Sequence, residues 1–552
     1  MPHRPARRPA ASRALALIVV LVGALSGLLS APGRVLAHAG LESSTPAASS
    51  VLDVSPPLIS LDFDEDIDTP LTSIQLFDQR GLTIATGAPT QGGDGSIVQT
   101  TVPTLAQGTF AVVWRVSSAD GHVVTGAFSF QIGTRGDVDA AKLLDTVLNG
   151  ARAEPSVGRA LGVSRFAAFT GLALVLGGLF MLVVAGSQVV VGTSIRRLLW
   201  SGWVLLVAGT AANFGLLGAN TLAGSLGDAL DTSVWGRVAD TRTGELLVAR
   251  LFVGLAVVGI LVTVAKRASS VWRVAVGLVG LLAVLTFSGA GHPSVERYSP
   301  VWIGVDAIHL LFVALWLGSL VVLTVGGRAW LADEDRVGAV HSFSRMATIG
   351  VPLIVATGVV QAWRIGGGLS TLTDTSWGRI LLAKSAVAVL VVTVGGVSRW
   401  LLLHDGPTAL RRTVATEALL GLAVLGLAAG LVGSAPTVGP QSKLYTRTLA
   451  EAGVLVDIAI TPGQVGGNEV HMVVTPAGGN LTPIAGLTAR MTLPSRDIPY
   501  VPVTISAESP NHYVGNVTLP FPGAWTLEIV VSPVPNKSVL LSNTVDIPDP
   551  NP

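Results

Sequence analysis

The chain has 552 residues, half of them hydrophobic and 12% charged, with mean hydropathy +0.62 and formal net charge +1. Soluble domains carry roughly 25% charged residues, so this balance points to a polytopic membrane protein, and the near-zero net charge argues against a nucleic-acid binder. Cysteine is absent, which removes disulfides, thiolate metal sites, iron–sulfur clusters and thiol nucleophiles together. Any metal ion must then be held by nitrogen, oxygen or thioether, and methionine is limited to Met1, Met181, Met346, Met472 and Met491.

In chain order, residues 1–37 read as an export signal. Arg4, Arg7, Arg8 and Arg13 form its positive region, Ala14 to Leu29 its apolar core, and Val35-Leu36-Ala37 its cleavage site. Cleavage after Ala37 leaves His38 as the first mature residue; an uncleaved anchor is the other reading. Residues 38–134 predict an all-β sandwich or barrel. Phe110, Val112, Trp114 and Val116 alternate as a half-buried strand requires, with further runs at 59–63, 74–77 and 127–132. Residues 135–163 read as a more polar linker.

Eight apolar stretches of spanning length follow within residues 164–435, near 166–191, 197–222, 245–265, 271–290, 302–326, 346–365, 379–402 and 413–433. Arg196 and Arg197, Lys266, Arg267 and Arg273, Arg328 and Arg336, and Arg411 and Arg412 follow the odd-numbered spans. By the positive-inside rule those connections are cytoplasmic. Residues 443–548 then read as seven short strands of an immunoglobulin-like sandwich. The fold class expected is a mixed membrane protein: a β sandwich or barrel, an eight-helix transmembrane bundle and a second β sandwich. It is placed in the cytoplasmic (inner) membrane, with both β domains on the extracytoplasmic, periplasmic side.

The first group of residues suited to chemistry is His38, Glu65, Asp120 and His122. A mature N-terminal histidine offers an α-amine with pKa near ~8 and an imidazole near ~6.5, so both nitrogens deprotonate readily and can chelate one metal. Asp120 and His122 stand two apart, on one face of an extended segment. Nitrogen-plus-carboxylate sets suit Cu(II), which heads the divalent affinity series.

The segment from His38 to Ala47, the run Leu61-Asp62-Phe63-Asp64-Glu65, and Trp114 to His122 continuing through Thr125-Gly126-Ala127-Phe128-Ser129-Phe130 resemble the CopC copper-binding domain in order and spacing. That resemblance implies Cu(II) ligation by His38, Asp120 and His122, with Glu65 nearby. Some members of that family add a methionine-rich Cu(I) site. No methionine lies between His38 and Leu161 here, so that site is not expected.

A second group lies in the spans. His292 ends the fourth, and the fifth carries Asp306, His309 and Trp316 on one helix face. Intramembrane ionisable groups mark ion paths by default; a hydrogen-bonded packing histidine is the plainer reading. Ser288-Gly289-Ala290-Gly291-His292, Asp306 through Gly318, and Gly378-Arg379 through Lys384 resemble the CopD membrane domain, and His292 and His309 are the residues expected to contact metal. Glu417 and Lys384 are expected to pair, because a lone charge there is expensive. Arg250 and Lys384 are read as structural. His471, Met472 and His512 read as surface or sheet residues, in a domain similar to the YtkA-like sandwich through Gly523-Ala524-Trp525-Thr526-Leu527.

Together these resemblances imply a CopC–CopD fusion of the YcnJ-like kind. It would bind Cu(II) outside the membrane and transport copper across it, in uptake, homeostasis or resistance. Other copper chaperones or a reductase are conceivable partners, and no enzymatic activity is expected. No P-loop or phosphorylatable Asp-Lys-Thr-Gly stretch is present, so transport would be passive or driven by membrane potential. Two alternatives stand beside this reading. One is a haem-b electron carrier ligated by His292 and His309; the other is an N-terminal-histidine copper oxygenase, disfavoured because Asp120 and Glu65 would fill the positions oxygen needs.

Overall fold

A computed structural model describes residues 41–46, 50–63, 65–93, 95–118, 121, 123–133, 140–150, 154–186, 190–291, 298–327, 334–366, 372–373, 375–404, 410–433, 445–461, 463, 465–476, 483–509 and 511–547. The chain divides into two compact units, one holding the helices from 153 to 437 and one holding the β regions.

The first β region has two sheets. One has the strand order β1 (Leu41–Thr45), β3 (Leu58–Phe63), β7 (Ile97–Thr101), β6 (Thr90–Gly92). The other runs β2 (Val51–Leu52), β9 (Val123–Ile132), β8 (Gly108–Ser117), β4 (Ser73–Phe77), β5 (Thr83–Ile84). Period-two alternation sends Ile59, Leu61 and Phe63 inward from β3. Phe63 meets Trp114 edge-on at 5.2 Å, and Phe110 stacks on Phe130. Opposite Trp114 in the ladder stands Gly126, where a Cβ would fall 2.2 Å from the indole. Only a glycine leaves that ring its place.

β8 was expected to be half-buried, yet most of it is buried on both faces. The cause is α1 (Ala140–Gly150), formed by residues read as linker. Its Leu143, Leu144 and Val147 cover Ala111 and Val113 on the side away from the sandwich core.

Among the described residues, the helical unit contains eight helices long and apolar enough to span a bilayer. They are α2 (Pro155–Ala185), α3 (Thr193–Thr221), α5 (Arg242–Val262), α6 (Ser270–Ser288), α7 (Ser299–Gly326), α8 (Glu334–Gly366), α9 (Ser376–His404) and α10 (Arg411–Leu431), with the short α4 (Thr232–Ala239) between α3 and α5. The first begins and ends earlier than expected, because Pro155 starts it at its first turn. α2 is the central helix. A Cβ at Gly318 would sit 1.8 Å from Ala173 O, and one at Gly171 would sit 2.2 Å from Leu206 N. Small residues therefore let α3 and α7 approach α2 backbone to backbone, the usual substitute for hydrophobic attraction in lipid. Arg250 has the structural role expected of it: its guanidinium donates to Thr286 O at 2.7 Å and lies over the Phe287 ring, tying α5 to α6.

The last β region is a sandwich of β10 (Tyr445–Glu451), β11 (Val454–Thr461), β12 (Gly466–Thr475), β16 (His512–Leu519) and β15 (Thr504–Ser509) against β14 (Ile498–Pro502), β13 (Gly486–Leu493), β17 (Gly523–Val534) and β18 (Lys537–Ile547). Nine strands replace the seven expected. β10 extends the first sheet, and the run expected at 501–505 divides between sheets at Pro502, which has no N–H to continue the ladder. Trp525 is fully buried at the centre, its Nε1–H donating to Phe521 O at 2.9 Å.

Candidate functional site

His38, Asp120, His122 and His292 lie outside the described residues. The backbone around three of them is nevertheless informative. β1 runs antiparallel to β3 with Leu41 opposite Phe63, so the start of β1 lies beside the end of β3, two residues before Glu65. Past Glu65 the chain turns toward the end of β8: Ile67 bridges Ser118, and Asp68 N–H donates to Ser117 O at 2.8 Å. Ser118 opens the hairpin loop from β8 to β9, in which Gly121 takes a φ of +85°, a conformation that penalises any side chain. The start of β1, half-buried Glu65 and the β8–β9 hairpin therefore share one end of the sandwich. Among the described residues, no group of three or more His, Asp or Glu is gathered for metal binding.

Within the helical unit lies a cavity of about 630 Å³. Asp306, His309 and Trp316, spaced along one face of α7, all line it. Around Asp306 stand the side chains of Ser288 and Gln361 and the ammonium of Lys384, the charge it faces. Ser288 Oγ and Gln361 Nε2 are buried against the Asp306 carboxyl and have no other hydrogen-bond partner among the described residues.

The tautomer of His309 follows from its neighbours. Thr357 Oγ1 donates to Leu353 O at 2.6 Å, so its only proton is engaged. At 2.9 Å from His309 Nδ1 it can only accept, which places the imidazole proton on Nδ1. Nε2 is left with its lone pair, the form a metal ion requires.

Lys384 and Glu417, expected to pair, form no ion pair among the described residues. Glu417 accepts from Ser398 Oγ, while Lys384 faces Asp306. α9 and α10 are consecutive, antiparallel neighbours, so the start of one lies beside the end of the other. Glu417 near the start of α10 therefore meets the last turns of α9, and Lys384 is near its first. The fourteen residues from Lys384 to Ser398 span about 21 Å of helix. Both polar groups line the same cavity.

Sequence reasoning treated His471 and His512 as surface or sheet residues. They are buried, 2% and 7% exposed, on neighbouring strands β12 and β16. His471 Nδ1 lies 3.4 Å from His512 Nε2, and His471 Nε2 hydrogen-bonds Glu469. That bond holds the Glu469 carboxyl below its ordinary range. Forty-one residues separate the two histidines, and no local spacing announces them.

The architecture is that of a multi-pass membrane protein with a β sandwich before its spans and another after them. The CopC domain family model matches residues 41–133, the copper resistance protein D-like N-terminal domain matches 156–297, and copper resistance protein D matches 337–431. The copper transport protein CutJ of Bacillus subtilis (strain 168) is 26% identical over 465 residues, 81% of this chain and 84% of CutJ. The inner membrane protein YebZ of Escherichia coli (strain K12) is 27% identical over 254 residues, 43% of this chain and 83% of YebZ. Protein YobA of the same strain is 32% identical over 101 residues, 18% of this chain and 81% of YobA. The chain thus carries a CopC domain and copper resistance protein D domains in one polypeptide, and over most of its length it is similar to the copper transport protein CutJ.

Proposed function

We propose that the chain captures Cu(II) outside the membrane through His38, Asp120 and His122, with Glu65 beside them, and conducts copper through the helical unit. The cavity carries this reading. It combines a carboxylate, an imidazole with a free Nε2 and the buried Ser288 and Gln361 side chains around Asp306 and His309 with a second polar pair, Glu417 and Ser398, further along. Along α9, Lys384, which faces Asp306, and Ser398, which bonds Glu417, are ~21 Å apart, about two thirds of a ~30 Å hydrocarbon core. An ion that sheds water at one end would thus meet oxygen or nitrogen again before the other.

The walls supply no thioether ladder, since Met181 and Met346, the two methionines within the spans, do not line the cavity. Imidazole, carboxylate and carbonyl groups must then carry the ion. The arginine- and lysine-rich connections after the odd-numbered spans support a cytoplasmic placement of that side and an extracytoplasmic one for both β domains. Captured ion on a short tether would be concentrated at the mouth of the membrane domain to roughly millimolar.

The test is copper uptake into proteoliposomes by the full chain with a mature His38 terminus. Asp306→Asn and His309→Ala should each lower the uptake rate by roughly tenfold or more. Wild-type rates in both variants would refute the path. A Soret band in the purified protein would instead assign His309 to haem.

A further inference from the structure

One end of the helical unit carries charge that the transport path does not use. Arg196 and Arg197 stand in the first turns of α3, and Lys266, Arg267 and Arg273 surround the join of α5 and α6. The two regions meet, because Arg267 Nε–H donates to the carbonyl of Gly186, the residue that closes α2. A second tie is the indole N–H of Trp203, which donates to Gly254 O on α5 at 2.9 Å. Arg196 lies seven residues before Trp203 and so shares the α5 side of α3, two turns nearer the helix end.

Arg196, Arg197, Lys266 and Arg273 are exposed, and none forms an ion pair among the described residues. The chain offers them no acidic neighbour in sequence either: neither Asp nor Glu occurs between Glu154 and Asp228, or between Glu245 and Glu296. Such a single-sign patch favours an anion.

Its depth and surroundings say which kind. Trp200 and Trp203 stand on the Arg196 face of α3, and Trp272 adjoins Arg273. Indoles concentrate where hydrocarbon gives way to headgroups, so the cations lie at headgroup level. From the same end Val271, Val274, Leu278, Leu281 and Leu285 run along α6 at spacings of three and four residues, all of them exposed. That is one continuous apolar track on a helix face. Charge at its head and hydrocarbon along its length match a phosphate that carries an acyl chain.

We propose that this end of the bundle binds an anionic phospholipid. Its phosphate is held between Arg196, Lys266 and Arg273, with an acyl chain along α6, and the headgroup fastens the α5–α6 hairpin to α3. The site stands apart from the transport reading, since none of these residues lines the cavity.

The experiment is native mass spectrometry of the full chain in detergent, titrated with phosphatidylglycerol or with phosphatidylcholine. One phosphatidylglycerol should be held at least tenfold more tightly than phosphatidylcholine. Lys266→Gln with Arg273→Gln should weaken it roughly 25-fold, about fivefold for each charge removed. Lys266→Arg with Arg273→Lys keeps both charges and should keep the affinity, so a folding defect in the first pair does not decide the matter. Arg412→Gln removes an exposed cation at the start of α10 and should change nothing. Equal affinity for the two lipids overturns the proposal, as does loss of binding in the charge-keeping pair or equal weakening by Arg412→Gln. Displacement by excess inorganic phosphate would assign the patch to free phosphate and overturn it as well.

Discussion

The two β domains share an architecture, each pairing a four-stranded with a five-stranded sheet, and place their histidines in opposite ways. In the first the proposed ligands fall outside the strands in sequence: His38 precedes β1, Glu65 follows β3, and Asp120 and His122 come between β8 and β9. The second builds its histidine pair from strand interiors, with Val473 opposite His512 and His471 opposite Val514 in the β12–β16 ladder. Loop residues at a sheet end can be replaced without disturbing the core. Residues within a ladder are held by the register of the whole sheet, because a one-residue slip would turn one of them to the other face.

That difference can be broken most severely at Trp525. Trp525→Ala empties the centre of the C-terminal core and should cost about 3–5 kcal/mol. Thermal unfolding should then show the C-terminal transition lowered or lost, while copper binding by the first domain is unchanged. Parallel loss of both would show that the two regions are not independent.

The next effect comes from one residue added before His38. It buries the α-amine in a peptide bond, so Cu(II) affinity should fall about a hundredfold, roughly 2.8 kcal/mol, with no shift in either unfolding transition. Isothermal titration and calorimetry on the same sample check both halves; equal affinity of native and extended forms would remove the amine–imidazole chelate.

The smallest effect is acid sensitivity. The His471 hydrogen bond holds the Glu469 carboxyl below its ordinary value of 4.5. A depressed folded-state value contributes stability that is present above pH ~4.5 and lost as pH falls through the folded value. The C-terminal transition should weaken below pH ~4.5, and Glu469→Gln should flatten that dependence. The first β domain should show no change with this substitution.

Much of the candidate site was legible because it is sequential. The Asp306–His309–Trp316 helix face is a local pattern, and helix periodicity alone carries those three residues to one cavity wall, whereas His38, Asp120 and His122 lie outside the described residues. The pairing of Glu417 was misread because helix direction, not residue type, decides which charges meet. The relay at Glu469, His471 and His512 gave no sequence signal, since its partners lie 41 residues apart.

By itself the sequence determined the class of molecule: apolar runs of bilayer length, loop charges and period-two strands dictate spans, candidate orientation and β domains. Tertiary structure alone decided that α1 caps the outer face of β8, that Thr357 leaves His309 Nε2 with its lone pair, that Lys384 faces Asp306, and that His471 meets His512. Hydrophobic period and chain polarity are properties of neighbours in sequence, whereas register and packing are settled only when distant segments bury their surfaces against one another.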